Sequence, residues 1–304
     1  MPLQPDSFQP LALAVEPLSP AGRALTSYWQ NVRNKFKVNQ LAVAGLIVII
    51  LIVLLAAIGP VFTPFSYADQ NLAEVNLPPS ATHWLGTDNL GRDLFVRLLY
   101  GARISLAIGF AASLINLTIG VLYGGISGYF GGRTDNIMMR IVDILYGIPL
   151  LLYVILFMVM LKPGLQNVFL ALGLVYWLQM ARIVRGQVLT LKEREFVLAA
   201  KVIGLSPWRI IVRHIIPNSL GPILVTTTFA IPEAIFSEAF LSFIGLGVSA
   251  PMASWGVLAS EGLSGLYSYP FQLIFPAVAI SITMLSFNFV GDGLRDALDP
   301  HNHR

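Results

Sequence analysis

The sequence predicts an all-α polytopic membrane protein with six transmembrane helices, and three observations support this fold class. Hydrophobic residues make up 56% of the 304 residues and charged residues 12%, about half the charged fraction of an ordinary soluble domain. The mean hydropathy of +0.72 would leave a soluble globule with too little polar surface. Six apolar segments are also long enough to cross a hydrocarbon core of about 30 Å, which takes about 20 helical residues. They are Leu41–Phe62, Ser105–Tyr129, Ile137–Leu161, Leu165–Val184, Ser219–Leu246 and Phe271–Gly291.

Lysine and arginine residues predict the orientation of these segments. With the N-terminus inside, all but Arg92, Arg97, Arg103 and Lys162 of the 19 basic residues lie on the cytoplasmic side. This asymmetry follows the positive-inside rule and predicts that both termini are cytoplasmic. The net charge of +3 is explained by the same sorting, so no nucleic-acid partner is expected.

The six segments divide the chain into regions. Residues 1–40 are expected to form a cytoplasmic tail, because they are rich in proline and lack the short basic start of a cleavable signal. The other predicted regions are a first anchor helix (41–62), an extracytoplasmic loop (63–103), a five-helix core (104–291) with a cytoplasmic loop (190–218), and a cytoplasmic tail (292–304).

The second segment has glycine at every fourth position, at Gly120, Gly124 and Gly128. This spacing leaves one helix face without side chains, so another helix can approach closely. On the third segment, Arg140 and Asp143 are expected to pair, because residues three apart share a helix face. The segments therefore indicate a packed bundle.

Four polar residues within the predicted spans are candidates for lining a translocation pathway: Asn116, Gln179, Glu233 and Glu238. The two glutamates carry the strongest signal, because an intramembrane carboxylate must face a partner or a wet cavity, or be protonated. The alternative is that they bond to neighbouring helices or lie near the outer surface. Pro222 and Pro232 could bend the fifth span.

The outer segment Gly86-Thr87-Asp88-Asn89-Leu90-Gly91-Arg92-Asp93 is polar and contains two glycines. We expect Asp88 to cap a helix that starts near Asn89, and Gly86 and Gly91 to allow tight turns. Two interpretations stay open: a capped helix that returns the chain to the membrane, or a contact with another protein on the outer face.

The cytoplasmic segment 195–218, here called the hook, predicts two short helices. The first runs over Glu195–Ile203 and ends at Gly204, and Ser206 and Pro207 suit the cap and first position of the second. Pro217 is expected to end that helix. Ala199, Ala200, Leu205 and Arg209 complete the pattern. An alternative is an amphipathic connector on lipid head groups, anchored by Trp208 and Arg209.

Several function classes are excluded by missing residues. The chain has no cysteine, which excludes disulfides, thiolate metal sites and cysteine nucleophiles. It has no Gly-Lys-Ser/Thr phosphate loop, so it cannot bind ATP in that manner. Ser264 lies in a Gly-Leu-Ser-Gly stretch like an intramembrane protease nucleophile, but no histidine falls within a predicted span. A self-sufficient carrier or channel is disfavoured because no inverted repeat is evident.

Four stretches together resemble a known family. They are the hook with its Ala199-Ala200 pair, residues 83–93 (the outer segment and the three residues before it), Gly101-Ala102-Arg103-Ile104-Ser105, and residues 291–300. From about Trp29 onward the chain resembles the inner-membrane permease subunit of ABC importers, of the oligopeptide and dipeptide type. The departure is Leu198, where the general importer loop has glutamate, which weakens any argument from a glutamate-mediated contact.

The resemblance implies a non-catalytic subunit with the type I (MetI-like) permease fold in the bacterial inner membrane. It implies a second related permease, two ATPase subunits that bind ATP and magnesium, and an extracytoplasmic peptide-binding protein. The hook would dock on an ATPase. If segment 86–93 does contact another protein, the candidates are the binding protein and the partner permease. No cofactor is expected in this chain. Nickel, glutathione or antimicrobial peptides stay open as substrates.

Overall fold

The computed structural model describes residues 28–160, 164–248 and 251–299. Within these ranges the chain is helical, and its only extended pairing is an isolated bridge between Thr87 and Asp93. The α-helices are α1 (Tyr28–Val38), α2 (Gln40–Ile58), α3 (Leu94–Ile115), α4 (Val121–Phe130), α5 (Gly132–Tyr146), α6 (Leu150–Met160), α7 (Leu165–Leu191), α8 (Glu195–Val202), α9 (Pro207–Ile210), α10 (Ile216–Asn218), α11 (Leu220–Phe243), α12 (Trp255–Leu263) and α13 (Phe271–Leu298).

Five helical stretches are long and apolar enough to cross a membrane, and they correspond to the first, second, fourth, fifth and sixth predicted spans. They are Gln40–Phe62, Leu94–Phe130, Leu165–Leu191, Leu220–Phe243 and Phe271–Leu298. Counting the bent pair α5 and α6 as one further span gives six. The predicted fold class is therefore confirmed.

The third predicted span, Ile137–Leu161, is wrong as a continuous helix. Helices α5 and α6 meet at an angle of 80°, with Gly147 and Pro149 between them. Proline lacks an amide donor and disfavours helical angles in the preceding residue, so the helix breaks there. The end of this prediction, Leu161, lies outside the described residues.

The second span is longer than predicted. Helix α3 begins at Leu94, eleven residues before Ser105, because the Asp93 carboxylate caps it by accepting from the Val96 amide at 2.9 Å. A π turn over Asn116–Gly120 joins α3 to α4. The combined 37 residues extend about 55 Å at 1.5 Å per residue, so the outer end of α3 projects beyond a 30 Å core.

The glycine repeat packs α4 against α7, as its spacing predicts. A β-carbon at Gly120 would lie 2.6 Å from the Met180 β-carbon, and one at Gly128 would lie 2.8 Å from the Val188 β-carbon. The two backbones therefore approach more closely than any larger residue would permit. Buried Met180, Val184 and Val188 of α7 line this contact.

Helices α3, α7 and α11 form the centre of the bundle. Ile108 of α3, Leu172 of α7 and Ala234 of α11 lie in one buried cluster. A second cluster joins α3 and α11 to α2, α12 and α13. Helix α12 lies between α11 and α13, and its Trp255 indole donates to the Leu98 carbonyl of α3 at 3.0 Å.

Candidate functional site

A cavity of ≈ 630 Å³ lies where the α5–α6 bend faces α7 and α11. Asn116, Gln179 and Glu233, three of the four predicted pathway candidates, line it together. The bend between α5 and α6 borders this space, because Tyr146, Pro149 and Leu150 are among its lining residues. Further lining residues are Tyr146, Tyr176, Thr226, Phe229, Ser237 and Arg295.

Glu233 is the acidic residue of this cavity. Its carboxylate makes no hydrogen bond or ion pair with another described residue. One turn further along α11, Ser237 bonds the Tyr176 hydroxyl at 2.9 Å. An ionised side chain at the centre of a membrane helix costs about 2.5–3.5 kcal/mol on insertion scales. A glutamate in such a position without a partner among the described residues indicates a hydrated or ligand-binding surface.

Glu238 does not line this cavity, and its environment matches the predicted alternative of bonds to a neighbouring helix. It follows Glu233 by five residues, which turns it about 140° around a helix of 3.6 residues per turn. Its side chain is 0% exposed. The carboxylate accepts hydrogen bonds from Ser105 at 2.9 Å and from Ser242 at 2.7 Å. Glu238 therefore joins α11 to α3 as an internal hydrogen-bond acceptor.

Buried charges hold the outer end of the bundle together. The Arg92 Nε donates to Asp88 at 2.7 Å and its Nη2 donates to Glu261 of α12 at 3.0 Å. Arg97 on α3 bonds the same two carboxylates. Asp88 thus binds two arginines and does not cap a helix near Asn89 as predicted. Asp93 is the cap of α3, since its carboxylate accepts from the Val96 amide.

The outer segment 86–93 is folded against its own chain. Thr87 Oγ1 donates to the Glu74 carbonyl at 2.5 Å and accepts from the Leu77 amide at 2.8 Å. Gly86 and Gly91 have positive φ values, of 81° and 70°. Thr87, Asp88, Arg92 and Asp93 are buried and bond to groups within the chain. Their side chains are not free to contact a second protein.

The hook has the predicted helix, turn and helix. Helix α8 ends in a Schellman motif, in which the Gly204 amide donates to Lys201 and the Leu205 amide donates to Ala200. Gly204 has a φ of 80°, a left-handed conformation that glycine adopts without steric cost. Pro207 takes the first position of α9 as predicted.

Two details of the hook differ from prediction. Ser206 precedes α9, but its side chain makes no capping bond. Pro217 does not end the helix; a π turn over Ile211–Ile215 leads into α10. Because proline has no amide hydrogen, the ladder must shift before it. Near the end of this segment the carbonyls of His214 and Ile215 accept from the side chains of Asn218 and Ser219.

The hook has one buried and one exposed face. Its buried face, which includes Val197, Ala200 and Ile210, forms a cluster with Val184 of α7 and Ile223 of α11. On the other face, Val202 is 85% exposed and Ile203 is 74% exposed. Also exposed are Ala199, Gly204, Ser206, Pro207 and Arg209, whereas Leu205 is half-buried.

Ion pairs next to the hook were not predicted. Arg185 on α7 donates to the Asp135 carboxylate of α5 at 2.5 and 2.6 Å. Arg182 bonds Asp143 at 2.8 Å, so Asp143 pairs with α7 and not with Arg140. The partners are separated by 39 to 50 positions, and no local spacing rule connects residues so far apart. In the sequence, the only indication of these ion pairs was the presence of charges on two adjacent apolar segments.

Comparison with known proteins identifies the family. Residues 98–304 match the model of the binding-protein-dependent transport system inner membrane component. Residues 27–79 match the N-terminal transmembrane domain of oligopeptide transport permease C. The first match alone covers more than half of the chain.

Similar proteins extend over nearly the whole chain. It is 53% identical over 293 residues to the oligopeptide transport system permease protein OppC of Bacillus subtilis (strain 168), with 96% of both chains covered. It is 53% identical to the dipeptide transport system permease protein DppC of the same organism, covering 93% of this chain and 88% of the relative. The Escherichia coli (strain K12) OppC is 45% identical, with 94% of both chains covered.

Among solved structures, the inward-facing MetNI methionine ABC transporter has a similar fold. The TM-score is 0.54 at 20% sequence identity, and the match covers 66% of this chain and 96% of that chain. This identity supports a common fold and no more. The chain belongs to the family of inner-membrane permease components of binding-protein-dependent ABC importers, the family that includes the oligopeptide and dipeptide permeases.

Proposed function

We propose that this chain forms one half of a pathway for oligopeptides or dipeptides and that the hook transmits ATPase movement to it. As a permease component, the chain is a non-catalytic, multi-pass subunit of the bacterial inner membrane, and ATP hydrolysis belongs to other subunits. The names of the similar permeases support a peptide substrate. The lining of the cavity by several polar side chains supports passage of a hydrated solute.

The observation that carries the coupling proposal is the two-faced structure of the hook. Its buried face is continuous with the packing of α7 and α11, and these same helices line the cavity. A displacement of the hook would therefore change the cavity walls, because close-packed helices shift as units. The exposed Val202 and Ile203 supply an apolar surface that a cytoplasmic ATPase subunit would cover.

The full assembly that we propose has two permeases, two ATP-binding subunits and an extracytoplasmic peptide-binding protein. ATP and magnesium would be bound by the ATP-binding subunits. Both termini and the hook would be cytoplasmic, as the distribution of basic residues indicates. ATP-driven closure would then switch the cavity between its outward-opening and inward-opening states.

Replacement of Gly204 tests the coupling role of the hook. Gly204→Leu places a side chain on a residue with a φ of 80°, and no atom lies within 4 Å of the new β-carbon. The variant therefore acts through backbone strain and through a changed docking surface. Ile203→Asp changes the same exposed surface at a residue that does not have a positive φ. We expect both variants to insert into the membrane and to lose transport and substrate-stimulated ATP hydrolysis in the reconstituted complex.

Gly132→Leu is the matched control. Gly132 also has a positive φ, of 55°, and open space around a β-carbon, but it begins α5 outside the hook. It should retain more transport than the two hook variants. Normal transport by Gly204→Leu and Ile203→Asp would refute the coupling role.

A further inference from the structure

The cavity has opposite charges at its two ends. Glu233 lies at one end beside Ser237, and Arg295 of α13 lies at the other end, beside Val225 and Thr226. Between Thr226 and Glu233, α11 advances seven residues, which is about 10 Å at 1.5 Å per residue. Neutral groups, among them Gln179 and Asn116, line the same space.

Neither charged group is neutralised by the described part of the chain. The Arg295 guanidinium makes no hydrogen bond or ion pair with a described residue, in contrast to the buried arginines at the outer end and to Arg185 on α7. The Glu233 carboxylate likewise makes no hydrogen bond or ion pair with a described residue. Arg97, Arg182 and Arg185 have carboxylate partners in the chain, whereas Glu233 and Arg295 are available to a ligand or to another subunit.

We propose that Glu233 binds the amino-terminal ammonium of a transported peptide and that Arg295 receives its carboxyl-terminal carboxylate. This inference rests on the proposed peptide transport function and adds a binding site to it. An extended chain spans at most about 3.3–3.6 Å per residue, so a tripeptide covers about 10 Å and matches the separation along α11. The cavity volume of ≈ 630 Å³ lies within the range of about 300–1,000 Å³ for small-ligand sites.

The chemistry of the two side chains suits the two ends of a peptide. An ammonium bound by a carboxylate makes charge-assisted hydrogen bonds, which are about twice as strong as neutral ones. The planar guanidinium of Arg295 can bind a carboxylate through two parallel hydrogen bonds. Neutral groups between them accept peptides of different sequence, because they contact the backbone and side chains without a charge requirement.

The test compares transport of a tripeptide with that of its N-acetylated and C-amidated forms. The complete importer is reconstituted with an excess of peptide-loaded binding protein, and each variant rate is divided by the wild-type rate for the same peptide. This ratio removes the preference of the binding protein itself. Glu233→Gln should slow the free tripeptide about tenfold or more, the loss expected for one hydrogen bond to a charged group. It should leave the N-acetylated peptide unchanged.

Two further variants complete the design. Glu233→Asp keeps the carboxylate and should restore the preference for the free amine. Arg295→Gln should slow the free tripeptide and leave the C-amidated form unchanged. Equal slowing of all three peptides by Glu233→Gln, or no slowing, would overturn the inference, since the carboxylate would then contact another subunit or nothing. That result leaves peptide transport intact, whereas a wild-type complex that carries no peptide would refute the proposed function itself.

A second measurement does not depend on turnover. The chain contains no cysteine, so Ser237→Cys introduces a single thiol one turn from Glu233. A water-soluble thiol reagent should label it, and the tripeptide should slow this labelling in the otherwise native cavity. The protection should disappear when Glu233→Gln is added. Protection that persists in the double variant would contradict the assigned role of the carboxylate.

Discussion

Arg97 of α3 and Glu261 of α12 are bonded to each other across the outer end of the bundle, although 164 positions separate them. Arg97 is 1% exposed and also binds Asp88. Helix α3, helix α12 and the outer segment 86–93 are therefore joined at a single guanidinium. Through Asp88, the outer segment is attached to the helix bundle.

Arg97→Ala should destabilise the folded subunit strongly. It leaves two carboxylates without one of their partners, and removal of one member of a buried ion pair costs about 3–5 kcal/mol. Thermal unfolding of the detergent-solubilised complex would measure the loss. Arg133→Ala is the control, because Arg133 is exposed and makes no ion pair with a described residue. Equal melting temperatures for the two variants would contradict the structural role of Arg97.

Glu238→Ala should cost about 1–3 kcal/mol, the penalty for leaving buried hydrogen-bond partners unsatisfied. Ser105 and Ser242 lose their acceptor in this variant. Glu238→Gln keeps an acceptor oxygen and should be less destabilised. Glu233→Ala should not reduce the free energy of unfolding, since no internal bond is lost. Unfolding curves of the three variants test this order, which a pathway-lining Glu238 would not produce.

Single cysteines should distinguish the two glutamate positions by solvent access. In the cysteine-free background, Glu233→Cys should react with a water-soluble thiol reagent, because position 233 lines the cavity. Glu238→Cys should be protected, because position 238 is fully buried. Mass spectrometry after labelling of membranes gives the extent of reaction. Rapid labelling at 238 would show that the outer part of α11 is more open than the structure indicates.

Gly124→Leu should disrupt the contact between α4 and α7. A β-carbon at Gly124 would lie 3.0 Å from the Ala181 carbonyl carbon and the Arg185 amide nitrogen, and backbone atoms cannot move aside cheaply. Overpacking typically costs about 1–3 kcal/mol. Gly186→Leu on α7 is the matched control, since nothing lies within 4 Å of its β-carbon. Yield of folded complex after purification should fall for the first variant only.

Reporter fusions test the orientation. A reporter that is active only in the cytoplasm should function after Lys192 and after Arg304, and it should be inactive after Asn76 and after Ser264. The reason is the concentration of basic residues on one side of the predicted spans. An inactive fusion after Lys192 would place the hook outside and remove its proposed contact with an ATPase.

The sequence determined the features that depend on local order. Apolar runs predict the long helices, because a membrane span must satisfy its backbone hydrogen bonds within itself. Gly204 predicts the end of α8, since the left-handed turn there is a property of one residue and its neighbours. The repeat at Gly120 likewise predicts a close helix contact before its partner is known.

Tertiary structure decided which distant groups meet. Two glutamates five positions apart are equivalent in hydropathy, yet only the packing of α3 against α11 buries Glu238 and leaves Glu233 at the cavity. Contacts between distant segments also explain why the sequence places Arg97 in the predicted extracytoplasmic loop (63–103). A charged residue ends an apolar run in sequence, but a helix continues through it when Asp88 and Glu261 neutralise it. Such pairs join residues that are far apart in the sequence, and no local sequence pattern identifies them. Only the folded chain shows which residues pair.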